Sequence, residues 1–254
     1  MITVVITVWK RSNLKEQMYA LLNQTLQPAK IWIYHCCDHQ DIDMSVLEMS
    51  PIVNYQFNTG DFGYFGRFSI AMLSATPYVY ILDDDVIPSQ TWLENCLSLC
   101  NETNAIIASS GRIIPAGNYR PEIILDDHYM QRHFIGDSDN TSMSNLCAKN
   151  TIVDYGCNSW FLKTDWLSYF WSIKPFTFST GEDIHLSASC HFNNILTLVP
   201  YQDGVEISGN LKKKYGWDNF ASWKGQGFHQ MRSEVLQYWI KKLDWNPILW
   251  NQPV

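Results

Sequence analysis

The sequence predicts an α/β fold in which a central, mostly parallel sheet is flanked by helices. Two observations lead to this class. Short apolar runs rich in β-branched residues recur along the first half of the chain, and amphipathic stretches with helical spacing separate them. Strands that alternate with helices form parallel sheets with right-handed crossovers. The 254 residues suit one domain of this kind.

The first half contains five predicted strands, each a short apolar run. They are Ile2–Val8, Ile31–Cys36, Ile52–Phe57, Tyr78–Leu82 and Ala105–Ala108. Every residue of the first is apolar or threonine and β-branched, which is typical of a strand buried on both faces. Ligands of such sheets bind beyond the carboxyl ends of the strands. We therefore expect the functional residues of this half directly after the strands.

Helices are predicted between these strands. Asn13 is a candidate cap for a helix over residues 14–22, and Pro28 follows that helix as a stop. A second helix is predicted over residues 68–75, and Ser89 is a candidate cap for a third helix. These helices would cover the faces of the sheet.

The second half is less regular. Residues 115–150 show little periodicity, and unstructured stretches of this length inside a domain are usually functional or disordered. Beyond them we predict strands at Ser159–Leu162 and Ile195–Val199, and helices at Asp165–Trp171, Glu182–Phe192 and His229–Leu243. Residues 204–227 are predicted to be a loop that carries glycines and aromatic residues.

Composition excludes some classes of function. The net charge is −7, so a nucleic-acid partner is not expected. The seven cysteines have no zinc-type spacing and fit reduced thiols, which predicts a cytoplasmic protein. Met1 runs directly into an apolar strand, and neither a signal peptide nor a transmembrane segment is predicted. The surplus of aromatic residues suits both a core and platforms for sugars or bases.

The strongest local signal is the acidic triplet Asp83-Asp84-Asp85 at the end of the fourth strand. Adjacent carboxylates repel one another and need a cation or hydrogen bonds. In an extended chain Asp83 and Asp85 point to the same side, which suits Mg²⁺ or Mn²⁺ held together with phosphates. The alternative is a turn whose aspartates cap the next helix.

These motifs resemble the glycosyltransferases of the GT-A fold, close to the large family-2 type. The resemblance rests on the first strand, the Leu22-Asn23-Gln24-Thr25 segment, the loop and helix from Asn58 to Phe68, the acidic triplet and the later Gly181–Ser187 segment, which reads GEDIHLS. The acidic triplet and the Gly181–Ser187 segment are similar to the motifs of a subgroup of small enzymes, some of which belong to large DNA viruses. The resemblance covers most of the chain.

The resemblance implies a single GT-A domain over residues 1–254, Rossmann-like, with a smaller mixed sheet on the acceptor side. Residues 1–112 would be the nucleotide-binding half, and residues 113–254 the acceptor-side half with the final helix. The activity implied is metal-dependent, inverting transfer of a sugar from a UDP-, GDP- or dTDP-sugar to a hydroxyl of a glycan or glycoprotein.

By the same resemblance, the triplet holds the metal and the donor. Asp85 is the expected ligand of Mn²⁺ or Mg²⁺, Asp83 shares the metal or holds the ribose, and Asp84 contributes to donor binding. His229 could be a further metal ligand, near a loop at residues 215–218 that orders over the donor. A structural role for His229 is the alternative.

The donor pocket is expected around the ends of the first strands. The resemblance implies that Thr7, Trp9 and Arg11 line it, and that Asp38 meets the base; edge packing is the alternative for Trp9. Arg67 opens a helix after a glycine-bearing loop, which favours binding of a diphosphate; a surface salt bridge is the alternative. Asp61 in this loop is a donor-site candidate or a turn residue.

The acceptor side needs a base, because a hydroxyl is a poor nucleophile until a carboxylate takes its proton. By resemblance Asp183 is the first candidate and Glu182 the second, acting on an oxocarbenium-like transition state. The alternative for Asp183 is a capping box with Thr180. Trp160 falls where relatives contact the sugar or the acceptor, and a core position is its alternative.

Three other classes of protein fit these residues less well than a glycosyltransferase. A nucleotidyltransferase should carry a glycine-rich signature after the first strand, where this chain has Trp9-Lys10-Arg11. A carbohydrate-binding module has no need for two acidic motifs. A hydrolase does not require an arginine that grips phosphate.

Overall fold

The computed structural model describes residues 1–37, 39–115, 133–136, 147–211 and 218–248. Within them the strands are β1 (Ile2–Val8), β2 (Lys30–Cys36), β3 (Val53–Asn58), β4 (Tyr78–Leu82), β5 (Ile106–Arg112), β6 (Phe134–Ile135), β7 (Thr151–Val153), β8 (Tyr155–Lys163) and β9 (Thr197–Val199). The α-helices are α1 (Leu14–Leu22), α2 (Gly66–Met72), α3 (Trp92–Thr103), α4 (Leu167–Ser172), α5 (Glu182–His191) and α6 (Phe228–Leu243).

All the described strands belong to one sheet. Its order is β3-β2-β1-β4-β8-β5-β9-β7, and β6 pairs with β5 off this path. Strands β1 to β4, β5 and β9 run in one direction, while β6, β7 and β8 run against them. The predicted α/β class with a mostly parallel sheet is therefore confirmed. The mixed portion expected on the acceptor side is the far end of this same sheet.

The core forms around β1, which lies between β2 and β4. All seven of its residues are buried, because helices cover a strand in the middle of a parallel sheet from both sides. Burying one such aliphatic side chain stabilises the fold by roughly 1.5–3 kcal/mol. This central strand fixes the position of Trp9, where the chain leaves the sheet at the carboxyl ends of the parallel strands.

Two side chains predicted as helix caps have other partners. Asn13 precedes α1 but makes no side-chain cap bond, and its Nδ2 donates instead to the carbonyl of Asp84 at 2.8 Å. The Oγ of Ser89 accepts the backbone N–H of Ser208 at 2.9 Å, and α3 begins only at Trp92. Buried loop groups need hydrogen-bond partners, and these two side chains supply them.

Most of residues 115–150 lie outside the described part of the chain. The short strand β6, within this stretch, and the short strand β7, directly after it, were not predicted. Strand β8 begins four residues earlier than expected. No helix among the described residues is long and apolar enough to cross a membrane.

Candidate active site

A cavity of about 720 Å³ lies where β1, β2 and β4 end. This is the size of a small-molecule site. Most of the donor-site residues predicted from the sequence share its wall: Thr7, Trp9, Arg11, Asp61, Arg67, Asp83, Asp84 and Asp85. The cavity is completed by Tyr34, Cys36, Phe62, Gly63, Tyr64, Asn158, Phe178, Ser179 and residues 220–223.

The acidic triplet forms a turn and not an extended chain. Strand β4 ends at Leu82, and the N–H of Val86 donates to the carbonyl of Asp83 at 3.3 Å. The expectation that Asp83 and Asp85 alternate with Asp84 as in a strand is therefore wrong. None of the three aspartates caps the following helix, whose N-cap makes no side-chain hydrogen bond.

Amide side chains from two sides fix the backbone of this acidic turn. From α1, Gln17 donates to the carbonyls of Asp83 and Val86, at 2.8 and 3.0 Å. From the other side, Asn210 donates to the carbonyl of Asp85 at 2.9 Å. The turn is thus held rigidly, and its carboxylates keep a fixed position in the cavity wall.

Asp84 anchors the exit of β1. It is 5% exposed and accepts the backbone N–H groups of Lys10 and Arg11, at 3.2 and 3.3 Å. The guanidinium of Arg11 adds a third contact at 2.5 Å. These bonds occupy both carboxylate oxygens, so Asp84 orders the protein around the cavity.

Asp83 and Asp85 are the carboxylates of the turn with fewer protein contacts. Asp83 pairs with Arg67, and Asp85 lies 3.3 Å from Arg11. Burial raises the pKa of Asp85 to about 6, and neighbouring Asp84 adds to the effect. Burial, together with Asp85, also raises the pKa of Asp83 well above its usual range, although Arg67 opposes the rise. The two arginines therefore do not fully compensate the negative charge of the three carboxylates in the turn.

Arg67 links the acidic turn to the second acidic motif. It lies in α2, is 5% exposed, and donates to Asp83 and, at 2.8 Å, to Glu182. Burial and the adjacent Asp183 raise the pKa of Glu182 to about 7. The arginine predicted to grip a diphosphate therefore lies between two carboxylates, where it also contributes to the cavity wall.

Asp183 is held by a residue that the sequence did not indicate. Arg232 of α6 donates to both oxygens of Asp183, at 2.9 and 2.8 Å. The capping box with Thr180 is excluded, because Gly181 and not Thr180 is the N-cap of α5. The Oδ1 of Asp183 instead accepts the N–H of Ile184 in the first turn of this helix, at 2.7 Å. Neither Asp183 nor Glu182 belongs to the cavity wall; Arg67, the partner of Glu182, does.

Gly181 sets the direction in which α5 begins. Its φ of 83° is left-handed, and a Cβ there would lie 2.9 Å from Val235 of α6. Only glycine fits both demands. This close approach brings α6, and with it Arg232, onto the start of α5.

A loop segment closes one side of the cavity. Asp218 accepts two hydrogen bonds from Arg11, at 2.7 and 3.0 Å, and residues 220–223 follow it along the wall. The loop predicted to order over the donor ends at this aspartate; its residues 215–217 lie outside the described part of the chain. Arg11 therefore joins three carboxylates across the site.

The remaining donor candidates differ in what they contact. Trp9 is half-buried and packs edge-on against Tyr64 and His39, with ring centroids 6.5 and 6.0 Å apart. Asp61 accepts the N–H of Gly63 at 2.7 Å, as a turn residue does. Asp38 lies outside the described residues.

Two other candidates lie away from the cavity wall. Trp160 is 1% exposed, donates its indole N–H to the carbonyl of Gly156 and packs on Phe68, which corresponds to the core alternative. His229 is half-buried at the start of α6. The ligand atoms of Asp83, Asp85 and His229 do not all lie within 4.8 Å of one another, so these three form no ready-made metal site.

Comparisons with known proteins show the fold. No protein family model and no curated sequence matches this chain. Among solved structures, S. aureus TarS is similar, with a TM-score of 0.52 and 12% identity over 80% of this chain and 35% of that one. A shorter form, S. aureus TarS 1–349, gives a TM-score of 0.51 and 12% identity over 80% of this chain and 58% of that one. The chain thus spans about a third to just over half of these structures and shares with them a Rossmann-like α/β fold.

Proposed function

We propose that this protein is a glycosyltransferase that moves a sugar from a nucleotide-diphosphate-sugar to an acceptor hydroxyl of a glycan or glycoprotein. The observation that carries the proposal is the connection made by Arg67, which joins the acidic turn in the cavity to the Glu182-Asp183 pair at the start of α5. A metal-dependent transferase needs carboxylates in two places. One group holds the metal ion at the donor phosphates, and another takes the proton of the acceptor hydroxyl. The fold shared with S. aureus TarS, a glycosyltransferase, supports the same reading.

The cavity has the surfaces that a donor requires. Aromatic side chains on its wall, among them Trp9 and Tyr64, offer faces for a base or a sugar ring. Arg11 and Arg67 supply the two guanidinium groups of the wall. Both are already paired with carboxylates, so a diphosphate would have to share them with the protein.

The charge balance of the wall fits a divalent cation such as Mn²⁺ or Mg²⁺. Four aspartates face two arginines there, and burial raises the pKa values of Asp83 and Asp85. A doubly negative donor would not enter such a wall without added positive charge. Asp85 and Asp83 are the oxygen ligands we assign to the ion. When bound, it would act as a Lewis acid that neutralises charge on the departing nucleotide.

On the acceptor side, Asp183 takes the proton of the attacking hydroxyl while the sugar carbon passes through an oxocarbenium-like state, with inversion of configuration. Arg232 holds both oxygens of Asp183 and so fixes the plane of this carboxylate. Glu182 is the second candidate, and its pKa of about 7 suits proton exchange at neutral pH.

The test is incubation with a panel of UDP-, GDP- and dTDP-sugars, with and without Mn²⁺ or Mg²⁺. Release of a nucleoside diphosphate that requires the metal and one member of the panel supports the proposal. Formation of pyrophosphate from a sugar phosphate and a nucleoside triphosphate would assign the protein to the nucleotidyltransferases. Sugar binding without turnover of any donor would make it a carbohydrate-binding protein.

A further inference from the structure

Two adjacent thiols and a carboxylate meet at the end of β2, and they share none of their residues with the acidic turn of the same cavity. The Sγ atoms of Cys36 and Cys37 lie 3.9 Å apart, and Cys36 Sγ lies 3.8 Å from the Oδ1 of Asp61. All three ligand atoms lie within 4.8 Å of one another. Among the residues that the structure describes, no other set of three cysteine, histidine or acidic side chains meets this condition.

The backbone brings the two thiols together. Neighbouring side chains of a strand point to opposite faces, so consecutive cysteines would normally be kept apart. Here β2 ends at Cys36, and Cys37 adopts a left-handed φ of 58°, which is uncommon for a residue with a side chain. The N–H of Cys37 donates to the carbonyl of Asn58 at 2.9 Å and so fixes this conformation. Such local strain is typical of functional positions.

Two of the three distances between ligand atoms are close to those of a tetrahedral metal site, and the third is within 4.8 Å. Zn–S bonds of about 2.3 Å and a Zn–O bond of about 2.0 Å at tetrahedral angles place neighbouring ligand atoms roughly 3.5–3.8 Å apart. The observed separations of 3.9 and 3.8 Å need only a small adjustment to reach these values. Thiolates select soft or borderline ions, whereas the carboxylates of the acidic turn suit hard ones.

We propose that Cys36, Cys37 and Asp61 form a three-ligand site for Zn²⁺, separate from the acidic turn, with its fourth coordination position open to the cavity. Cys36 and Asp61 both belong to the cavity wall, so the open position faces the space where a ligand binds. Sites with three protein ligands and one open position bind water or a substrate atom. Binding of the ion displaces the two thiol protons to solvent and leaves two thiolates and one carboxylate around it.

The test uses Co²⁺ as a spectroscopic probe on the reduced protein. We expect one equivalent of Co²⁺ to give a thiolate-to-metal charge-transfer band, which Zn²⁺ abolishes and excess Mg²⁺ does not. Cys36→Ser and Cys37→Ser should each lose at least about half of the band intensity and bind Zn²⁺ about a hundredfold or more weakly, since each removes one of two thiolates and one of three protein ligands. Cys157→Ser, which removes another half-buried thiol, is the matched control and should keep the band.

Asp61→Asn and thermal unfolding keep the test decisive if a cysteine variant folds poorly. Zn²⁺ should raise the melting temperature of the wild type more than that of Asp61→Asn, and imidazole should shift the visible cobalt bands by entering the open position. The proposal is overturned if the wild type shows no charge-transfer band, if the band keeps its full intensity in Cys37→Ser, or if Cys157→Ser removes it. Because the readout is spectroscopic, its result does not depend on glycosyl transfer.

Discussion

The guanidinium of Arg232 spans both carboxylate oxygens of Asp183, at 2.9 and 2.8 Å, across the contact between α6 and α5. Both side chains are almost fully buried, with 6% and 10% of their surfaces exposed. A bidentate pair of this kind fixes the carboxylate in orientation as well as in position. The last helix of the described chain therefore has a direct part in arranging the second acidic motif.

Loss of Arg232 alone should destabilise the protein more than loss of both partners. Arg232→Met leaves the buried charge of Asp183 without its counter-ion, which costs about 3–5 kcal/mol. Combining it with Asp183→Asn removes that charge, so the double variant should recover a large part of the loss. Urea unfolding of the wild type, both single variants and the double variant measures this coupling. Strictly additive losses would mean that the two residues do not interact.

Asp183→Asn should remove sugar transfer while keeping donor binding. The amide preserves the shape of the side chain but cannot accept the proton of the hydroxyl, so we expect the transfer rate to fall by about 10²–10⁴-fold. Donor affinity, measured by calorimetry, should stay close to that of the wild type. Glu182→Gln is the matched variant. If Glu182→Gln abolishes transfer and Asp183→Asn does not, the base is Glu182.

The acidic turn should separate into one structural and one functional aspartate. Asp84→Ala removes the acceptor of the Lys10 and Arg11 N–H groups and should lower the free energy of unfolding by about 1–3 kcal/mol. Asp85→Ala removes a desolvated carboxylate, so its stability should be unchanged or higher, while metal-stimulated donor turnover disappears. If Asp85→Ala keeps full metal-stimulated turnover, Asp85 is not a ligand of the metal ion.

Much of the sheet could be predicted because its signals are local. β1 and β4 are continuous apolar runs, which a strand buried on both faces requires, and their bounds match the prediction. Two short strands could not be predicted, because β6 has two residues and β7 has three, which are too few to show the alternation of a strand. Helix caps were mispredicted where a distant loop competes for the same side chain, as Asp84 does for Asn13.

The site was predictable only in part, because its pairings cross long stretches of sequence. The acidic triplet and its strand could be recognised, and the cavity gathers them with Arg11 and Arg67. Which carboxylate each arginine meets depends on contacts 115 and 207 residues away, at Glu182 and Asp218. No local period encodes such partners. They follow from how α5 and the loop after residue 217 pack on the sheet edge.

Trp160→Phe should affect stability and leave catalysis nearly unchanged. The smaller ring forms no indole hydrogen bond to Gly156 and leaves space beside Phe68, which should cost roughly 1–3 kcal/mol. Because Trp160 is 1% exposed, donor and acceptor KM values should stay within about twofold of the wild type once the variant is folded. A large rise in either KM at unchanged stability would instead indicate contact with the substrate.

Asp154 should make the folded protein less stable as pH rises from about 4 to 6. It accepts the N–H groups of Ile114 and Ile248, at 2.6 and 2.7 Å, yet burial still raises its pKa from 3.8 to about 6. Below pH 4 the carboxyl is protonated in both states. Between pH 4 and 6 only the unfolded chain ionises, so this contribution to stability, about 3 kcal/mol, is lost and does not return at higher pH.

Asp154→Asn isolates this effect from other buried carboxylates, such as Asp85 and Glu182, whose pKa values are also raised. The amide loses one acceptor oxygen but does not titrate, so the variant is weakened by a constant amount, about 1 kcal/mol. The difference in free energy of unfolding, wild type minus variant, should therefore fall as pH rises from 4 to 7, as measured by urea unfolding at several pH values. A difference that stays flat or grows over this range would show that Asp154 ionises in the folded protein as easily as in the unfolded chain.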